Sequence, residues 1–224
     1  MTEANFGIPT VVCICGTLAA GKTTLLRNLV QRLEASAVLV FDEYEAHCEW
    51  PKDFSQWMAQ GCDPGGVRNP RLQQDLKSLR SGSAIHHPLD EHIIEPSPII
   101  LLGDPFGRTR PDNRDLIDLV LFLDLPWDLS VVRMTQRALG LDHLPPKDQL
   151  GVNAADDLFA RIDSARQWLS AYAARRTMYT SVSEAVRTTA DVILDGTKSA
   201  EAVLEDALAT INQRVSEFTD KGVS

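Results

Sequence analysis

Short apolar runs alternate along the chain with longer segments whose apolar residues recur every three or four positions. The short runs predict buried strands at Val11–Cys15, Ala37–Phe41, Ile99–Leu102, Leu119–Leu123 and Asp191–Leu194. The longer segments predict helices over Thr24–Leu33, Arg71–Ser81, Trp127–Leu139, Ala155–Met178 and Ser199–Val215. Strands that alternate with helices favour a parallel sheet covered on both faces. We therefore expect an α/β fold with a doubly wound, five-stranded parallel sheet and a helical lid.

Length and charge limit the kinds of protein that this chain can be. Its 224 residues suffice for one substantial domain and contain no linker or repeat, so we expect a single domain over 1–224, with the lid and a late helical segment at about 133–180. The formal net charge of −9 disfavours nucleic acids and anionic membranes, which bind clustered positive charge. The first residues lack the basic and apolar regions of a secretory signal, which favours a cytoplasmic location.

The residues between the first predicted strand and the first predicted helix carry the most specific motif of the chain. They have the pattern G-x-x-x-x-G-K-T, which is typical of a phosphate-binding loop when it joins a strand to a helix. In such a loop the backbone N–H groups and the helix N-terminus point at a bound anion. The predicted nucleotide-binding residues are Gly16, Thr17, Leu18, Ala19, Ala20, Gly21, Lys22, Thr23 and Thr24.

Two side chains of this motif have further predicted roles. Lys22 is expected to reach the β- and γ-phosphates of ATP, and the Thr23 hydroxyl group is expected to bind Mg²⁺. The predicted cofactors are therefore ATP and Mg²⁺. The motif does not distinguish ATP from GTP.

Motifs that are missing exclude several classes of phosphate-loop protein. The chain has neither the Asn-Lys-x-Asp motif of GTPases nor the Leu-Ser-Gly-Gly signature of ABC-type ATPases. After the third predicted strand it has one acid, Asp104, where motor and AAA-type proteins have adjacent acids. The compact kinases, which phosphorylate small molecules beneath an arginine-bearing lid, remain.

From about residue 10 to 215 the chain resembles the uridine kinase and phosphoribulokinase-like family of small-molecule kinases. Beyond the phosphate loop, the resemblance depends on weak patterns in the family's order: Phe41–Tyr44, Asn69–Leu72, Pro88–Asp90, Arg114–Asp118, Arg133–Arg137 and Ala190–Leu194. It implies a P-loop NTPase fold of the nucleoside-kinase type. It also implies transfer of a phosphoryl group from ATP to a hydroxyl group of a small acceptor, such as a nucleoside or a sugar-like molecule.

The sequence departs from the family pattern where the acceptor should bind. Glu45 replaces an aromatic residue, Gly103–Arg108 replaces a Glu-Gly pair, Ala138 replaces an aspartate and Gly140–Asn153 is an additional loop. These departures leave other acceptors open, including an anionic metabolite or a nucleoside monophosphate. A nucleotide-dependent switch without a small acceptor is a further alternative. The sequence is also compatible with a homo-oligomer.

The predicted catalytic residues are Asp42, Lys22, Arg133 and Arg137. Asp42 ends the second predicted strand and is expected to accept the proton of the acceptor hydroxyl group, a role that the family resemblance also implies. The alternative is an aspartate that caps a turn. Arg133 and Arg137 lie four residues apart on one helix face and could neutralise charge in the transition state, or they could simply be solvated.

The residues after the third predicted strand suggest a metal ligand and an anion site. Asp104 is a predicted Mg²⁺ ligand through water, with a turn residue as the alternative. Arg108, Arg110 and Arg114 are predicted to bind a negative charge on the acceptor, because arginine pairs well with phosphate and carboxylate groups. Ordinary surface ion pairs are the alternative.

Aromatic residues and cysteines suggest weaker hypotheses. Tyr44 is a predicted acceptor contact because its ring, like those of Trp50, Trp57 and Phe106, could stack on a base or a sugar, with core packing as the alternative. Cys48 and Cys62 lie near several histidines in the sequence, but the spacing matches no familiar zinc pattern. We therefore expect these two cysteines to be solvated loop residues.

Overall fold

A computed structural model of the protein describes residues 7–33, 36–141 and 154–221. Within this part of the chain the strands are β1 (Thr10–Gly16), β2 (Ser36–Val40), β3 (Ile85–His86), β4 (Ile93–Ile94), β5 (Ile99–Gly103), β6 (Leu119–Asp124) and β7 (Val192–Asp195). Five of them form one sheet in the order β2-β5-β1-β6-β7, with every neighbouring pair parallel. The predicted five-stranded, doubly wound parallel sheet is confirmed.

The helices cover both faces of this sheet. They are α1 (Lys22–Arg32), α2 (Phe54–Ala59), α3 (Pro70–Arg80), α4 (Pro111–Arg114), α5 (Trp127–Ala138), α6 (Ala154–Arg187) and α7 (Ala200–Lys221). Among the described helices, none combines the length and the apolar character that a membrane span needs.

Alternation along β1 explains why the sheet has two cores. Val11, Cys13 and Cys15 face the layer that contains α3 and the end of α6. Val12 and Ile14 face the layer that contains α1 and α7. Successive side chains of a strand point to opposite faces, so a strand that is apolar at every position needs a helical layer on each side.

Helix α3 begins and packs as its sequence predicts. The Asn69 side chain accepts a hydrogen bond from the Leu72 N–H at 3.1 Å, and Pro70 occupies the first helical position. Leu72, Leu76 and Leu79 are fully buried on one face of the helix. The cap satisfies a free N–H group, and the leucine stripe attaches the helix to the sheet.

Two aspartates hold the edge of the sheet at which the strands begin. Asp118 accepts a hydrogen bond from the Val11 N–H at 2.8 Å and pairs with Arg80 at 2.8 Å. Asp191 pairs with Arg108 at 2.8 Å. These ion pairs lie at the end of the sheet opposite the phosphate loop, because parallel strands share their direction.

Several elements differ from the sequence expectation. The sequence predicted neither helix α2 nor the antiparallel pair β3–β4, because elements of two to six residues are too short to show a period. Helix α6 continues nine residues beyond the predicted end at Met178. Its last turns contain β-branched and hydroxyl residues of low helix propensity, yet Val186 is completely buried there. The predicted additional loop lies outside the described residues from position 142 onward.

The expectation for the two loop cysteines is wrong for Cys62, whose side chain is fully buried. Cys48 is half-buried and packs against the same apolar cluster. Burial raises the pKa of both thiols, so they behave as small apolar side chains.

Shortening Leu101 should destabilise the protein strongly. Leu101 is fully buried in β5, in the cluster that contacts α1 and α7, so Leu101→Ala should lower the free energy of unfolding by about 2–5 kcal/mol. Ile193 in β7 is 46% exposed, and Ile193→Ala should cost less than about 1 kcal/mol. Urea unfolding of both variants measures the difference, and equal losses would contradict this placement of the core.

Candidate active site

The loop between β1 and α1 (Gly16–Thr23, the phosphate loop) passes close to the end of β6. Gly16 has a φ of 147°, and a Cβ atom at this position would overlap the Leu123 carbonyl oxygen. The Thr17 N–H donates a hydrogen bond to the same oxygen at 3.0 Å. This close approach of two backbones explains the need for glycine at the first position of the motif.

The second glycine of the motif starts helix α1. Gly21 has a φ of 101° and is the N-cap residue of the helix. The N–H groups of the first turn, including those of Lys22, Thr23 and Thr24, have no partner within the helix and point beyond its N-terminus. The structure thus brings the predicted nucleotide-binding residues together in a geometry suited to an anion, while nucleotide contact itself stays a prediction.

Lys22 folds over the phosphate loop. Its Nζ atom donates hydrogen bonds to the carbonyl oxygens of Gly16 at 3.1 Å and Thr17 at 3.0 Å. Burial lowers the pKa of Lys22, while Cys15 and Asp42 act to raise it. A cation held between a loop and a carboxylate can move to a phosphate group without leaving the site.

Asp42 lies where the sequence predicted it, at the sheet edge that carries the phosphate loop. It belongs to a 3-10 helix (Phe41–His47) that follows β2 directly. Its side chain is exposed, and it lines the same cavity as Lys22 and Thr23. Its role as a base stays a prediction.

The cavity beside the phosphate loop has a volume of about 740 Å³. Its wall combines the phosphate loop, the segments after β2 and β5, and one side of α6. The residues that line it include Gly16, Leu18, Lys22, Thr23, Asp42, Glu45, Trp50, Phe54, Trp57, Asp104, Phe106, Arg175, Tyr179, Val182 and Ser183.

Four aromatic side chains form one side of this cavity, which we call the aromatic wall: Trp50, Phe54, Trp57 and Phe106. Trp50 lies at the centre, with its ring centroid 6.3 Å from each of the other three. Trp57 is fixed by a hydrogen bond from its Nε1 atom to the Asp63 carbonyl oxygen at 2.8 Å. Such a surface suits a flat or cyclic molecule.

Helix α5 holds the outer side of the phosphate loop. The Ser130 hydroxyl group donates to the Leu18 carbonyl oxygen at 2.6 Å. Arg133 donates to the carbonyl oxygens of Ala19 at 3.4 Å and Gly196 at 3.2 Å. The Arg133 guanidinium group therefore binds the loop backbone and is not part of the described cavity wall, which favours a positioning role over the predicted catalytic one.

Two other arginines face the site. Arg137 is exposed and lies near enough to Lys22 to add to the lowering of its pKa. Arg175, on α6, lines the cavity directly. These two guanidinium groups are available to a negatively charged ligand.

Asp104 and Arg110 form a buried ion pair below the aromatic wall. Both side chains are at most 1% exposed, and Arg110 Nη2 contacts Asp104 Oδ2. The Arg110 guanidinium group packs against the rings of Phe41 and Phe106, 5.1 and 5.2 Å from their centroids. Burial raises the pKa of Asp104, and the charge of Arg110 opposes this shift.

Mg²⁺ fits Thr23 but does not fit Asp104. The Thr23 hydroxyl group is exposed on the first turn of α1 and lines the cavity. Asp104 pairs through Oδ2 with Arg110 and accepts a hydrogen bond at Oδ1 from the Phe106 N–H at 2.9 Å, and its side chain is fully buried, away from a hydrated metal. The prediction for Asp104 is corrected to a structural role. The exposed carboxylates that share the cavity with Thr23 belong to Asp42 and Glu45.

The predicted anion cluster is corrected as well. Arg110 is buried against Asp104, as described above. Arg108 donates to the Ile117 carbonyl oxygen at 3.1 Å and pairs with Asp191 near the start of β7. Arg114 is exposed and donates to the Arg108 carbonyl oxygen at 3.4 Å. The three guanidinium groups have separate partners, and none of them converges on the described cavity.

Tyr44 is also not an acceptor contact in this structure. Its side chain is fully buried, and its hydroxyl group donates to Asp75 Oδ2 at 3.0 Å. Burial raises the pKa of the Tyr44 hydroxyl group above its usual range. The ring packs in the apolar cluster with α3, so core packing, the alternative considered from the sequence, is correct.

Sequence reasoning missed part of the cavity wall. Tyr179, Val182 and Ser183 lie beyond the predicted end of α6, and Phe54 lies in the unpredicted helix α2. One signal was available in the sequence, because Tyr172 and Tyr179 are spaced by two helical turns. Their rings stack at 5.9 Å.

Comparisons with known proteins support the family resemblance. No family model matches the chain. A uridine kinase of Staphylococcus haemolyticus is 26% identical over 140 residues, which cover 57% of this chain and 68% of that protein. A uridine kinase of Ligilactobacillus salivarius is 27% identical over 143 residues, covering 58% and 66% respectively. The predicted resemblance to uridine kinases and the predicted enzyme class, a kinase, are confirmed.

Solved structures show weaker likeness. A gluconokinase from Sinorhizobium meliloti has a TM-score of 0.46 and 11% identity, covering 96% of this chain and 99% of that one. A shikimate kinase from Aquifex aeolicus has a TM-score of 0.39 and 13% identity, covering 91% and 97%. Similarity at this level supports no conclusion about function.

Breaking the buried ion pair should cost stability. Arg110→Met leaves the Asp104 charge buried without its partner, so the free energy of unfolding should fall by about 3–5 kcal/mol in urea titrations at neutral pH. The loss should shrink as the pH falls, because an unpaired buried carboxyl group binds its proton more tightly in the folded state than in the unfolded state.

Two further variants make this test specific. Adding Asp104→Asn to Arg110→Met should restore part of the lost stability, because the uncompensated charge is removed. Arg114→Met, at an exposed position, should change stability by less than about 0.5 kcal/mol. An Arg110→Met protein as stable as the wild type would contradict the structural role.

Proposed function

We propose that the protein transfers the γ-phosphoryl group of ATP to a hydroxyl group of a nucleoside or a sugar-like small molecule. One observation carries the proposal: Lys22 and Thr23 of the phosphate loop share a cavity with the exposed carboxylate of Asp42. Phosphoryl transfer to an alcohol needs a phosphate-binding group opposite a group that accepts the hydroxyl proton.

The phosphate loop and nearby cationic groups bind and neutralise the phosphate groups of ATP. The N–H groups of the phosphate loop and Lys22 bind the phosphate groups. Lys22 can exchange its carbonyl partners, Gly16 and Thr17, for phosphate oxygens. Mg²⁺, when bound through the Thr23 hydroxyl group, supplies further charge neutralisation. Arg175, which lines the cavity, and Arg137, which lies near Lys22, add positive charge.

Asp42 orients the acceptor and receives its proton. Its carboxylate is exposed, so no other group of the described protein needs to leave before a hydroxyl group binds there. Arg133 acts indirectly in this scheme, because it holds the backbone of the phosphate loop at Ala19. Orientation of the attacking oxygen and prior placement of charge are the main contributions of such enzymes.

The aromatic wall supports a cyclic acceptor. Trp50, Phe54, Trp57 and Phe106 present ring faces and edges close to Asp42, and Glu45 and Ser183 add hydrogen-bonding groups. A largely apolar pocket with a few polar groups is the usual form of a small-molecule site. Uridine is the substrate in the relatives' names. Glu45, which replaces an aromatic residue of the family pattern, supports a preference that differs from theirs.

A mixed panel of acceptors tests the proposal directly. The purified protein is incubated with Mg-ATP and nucleosides, nucleoside monophosphates, sugars and sugar phosphates, while ADP release and product mass are followed. We expect one class of neutral acceptor to gain the mass of one phosphoryl group. Phosphorylation of only the anionic members would overturn the proposed acceptor. ATP binding without any product, together with nucleotide-dependent binding of a protein, would favour a switch.

Asp42→Asn should abolish most turnover while leaving ATP bound. Loss of the base should lower kcat by about 10²–10⁴-fold, and the ATP Kd, measured by calorimetry, should stay unchanged because the phosphate loop is intact. Glu49→Gln, at an exposed acid outside the cavity wall, is the matched control and should keep wild-type turnover. Near-normal turnover of Asp42→Asn would remove this residue from the mechanism.

A further inference from the structure

The antiparallel pair β3–β4 and the turn between them (Ile85–Ile94, the hairpin) bring together a group of side chains that lies outside the described cavity wall. The turn is fixed by backbone hydrogen bonds from the His87 N–H to the His92 carbonyl oxygen at 2.8 Å and from the Glu91 N–H to the His87 carbonyl oxygen at 3.1 Å. His87 and His92 therefore project from adjoining positions of a defined scaffold.

Three potential metal ligands converge at this turn. Asp90 Oδ1 lies 2.7 Å from His87 Nδ1 and 2.6 Å from His92 Nδ1. All three ligand atoms lie within 4.8 Å of one another. Ligands of a tetrahedral Zn²⁺ ion, with bonds of about 2.0 Å, lie about 3.3 Å apart. Asp90 and His92 are 64% and 56% exposed, so small side-chain rotations can open the group to that spacing.

A fourth residue supports the arrangement from outside. Glu43 Oε2 lies 3.3 Å from His87 Nε2, on the side of the ring opposite Asp90. Histidines that bind metals through one ring nitrogen commonly donate their other N–H to a carboxylate, which fixes the ring and strengthens the ligand. His87 has this partner, and its side chain is only 11% exposed.

His87 faces a carboxylate at each ring nitrogen, Glu43 at Nε2 and Asp90 at Nδ1. A neutral imidazole carries one N–H, so it can donate to one of these carboxylates while its other nitrogen presents a lone pair. A divalent cation bound at Nδ1 uses this lone pair and leaves the N–H at Nε2 for Glu43. The rings of His87 and His92 stack at 4.5 Å with an angle of 22°, and both Nδ1 atoms lie beside Asp90.

We propose that His87, Asp90 and His92 form a Zn²⁺ site, with water as the fourth ligand and Glu43 as the partner that orients His87. Two imidazoles and one carboxylate suit Zn²⁺ and disfavour Mg²⁺, which prefers oxygen ligands. The site is separate from the phosphate loop and does not depend on the proposed function. Its effect is to fasten the hairpin to the 3-10 helix that contains Glu43 and Asp42.

Zinc binding to the full chain tests this proposal. Protein without an affinity tag is treated with a chelator, kept reduced with a phosphine and titrated with ZnCl₂ by calorimetry in the presence of excess Mg²⁺. We expect one Zn²⁺ per chain and a rise in melting temperature with zinc concentration. Asp90→Asn and His92→Ala, both at exposed positions, should each weaken binding more than tenfold, and Glu43→Gln should weaken it about tenfold.

A control and a spectrum separate the hairpin from other sites. His47→Ala removes an exposed histidine outside the group and should bind zinc like the wild type. Co²⁺ in place of Zn²⁺ should give the absorption of a four-coordinate nitrogen and oxygen site. Absence of binding, equal affinity in all variants, or a sulfur-to-cobalt charge-transfer band from the cysteines would each overturn the proposal.

Discussion

The contact between the backbones of Gly16 and Leu123 sets the position of the phosphate loop, on which the rest of the candidate site depends for its binding of phosphate. It occurs where β1 and β6 end side by side, and the Thr17 N–H and hydroxyl groups bind the β6 side of this contact, at Leu123 and Leu125. The phosphate loop is therefore a continuation of the sheet rather than an independent loop. The start of α1, the Lys22 ammonium group and the anchoring contacts of α5 all follow from this one close approach, which no side chain larger than hydrogen permits.

Regular structure and the phosphate loop were predictable because each leaves a local signal. Strands that are buried on both faces have continuous apolar runs, and the glycine spacing of the loop is meaningful only between a strand and a helix. The position of Asp42 followed from the same logic, since parallel strands end at one edge. Helix α2 and the hairpin left no such signal. Their few residues are ordered mainly by tertiary contacts, such as the burial of Trp57 and Ile85 in the apolar cluster that contains α3.

Polar side chains were harder to place because a residue type does not reveal its partner. Arg110, Arg108 and Tyr44 each suit an anion or a sugar, but Asp104, Asp191 and Asp75 bind them within the protein. The chain has 31 acidic and 22 basic residues. Because carboxylates outnumber basic groups, an arginine readily finds a partner within its own chain. In an acidic protein, an arginine cluster in the sequence is therefore weak support for anion binding.

Helix α6 has 34 residues and is about 50 Å long, and it is supported at two places. Val186 is completely buried near one end, while Ala165 is buried further towards the other end, where Arg161 donates to the carbonyl oxygen of Gly140 just beyond α5. Arg175 lies between these two supports and lines the cavity. Helix α5 also holds the phosphate loop through Ser130, so a shift of α5 displaces both walls of the cavity. Displacements of about 1 Å are enough to alter catalysis, and contacts made by α5 outside the cavity therefore reach the reacting groups.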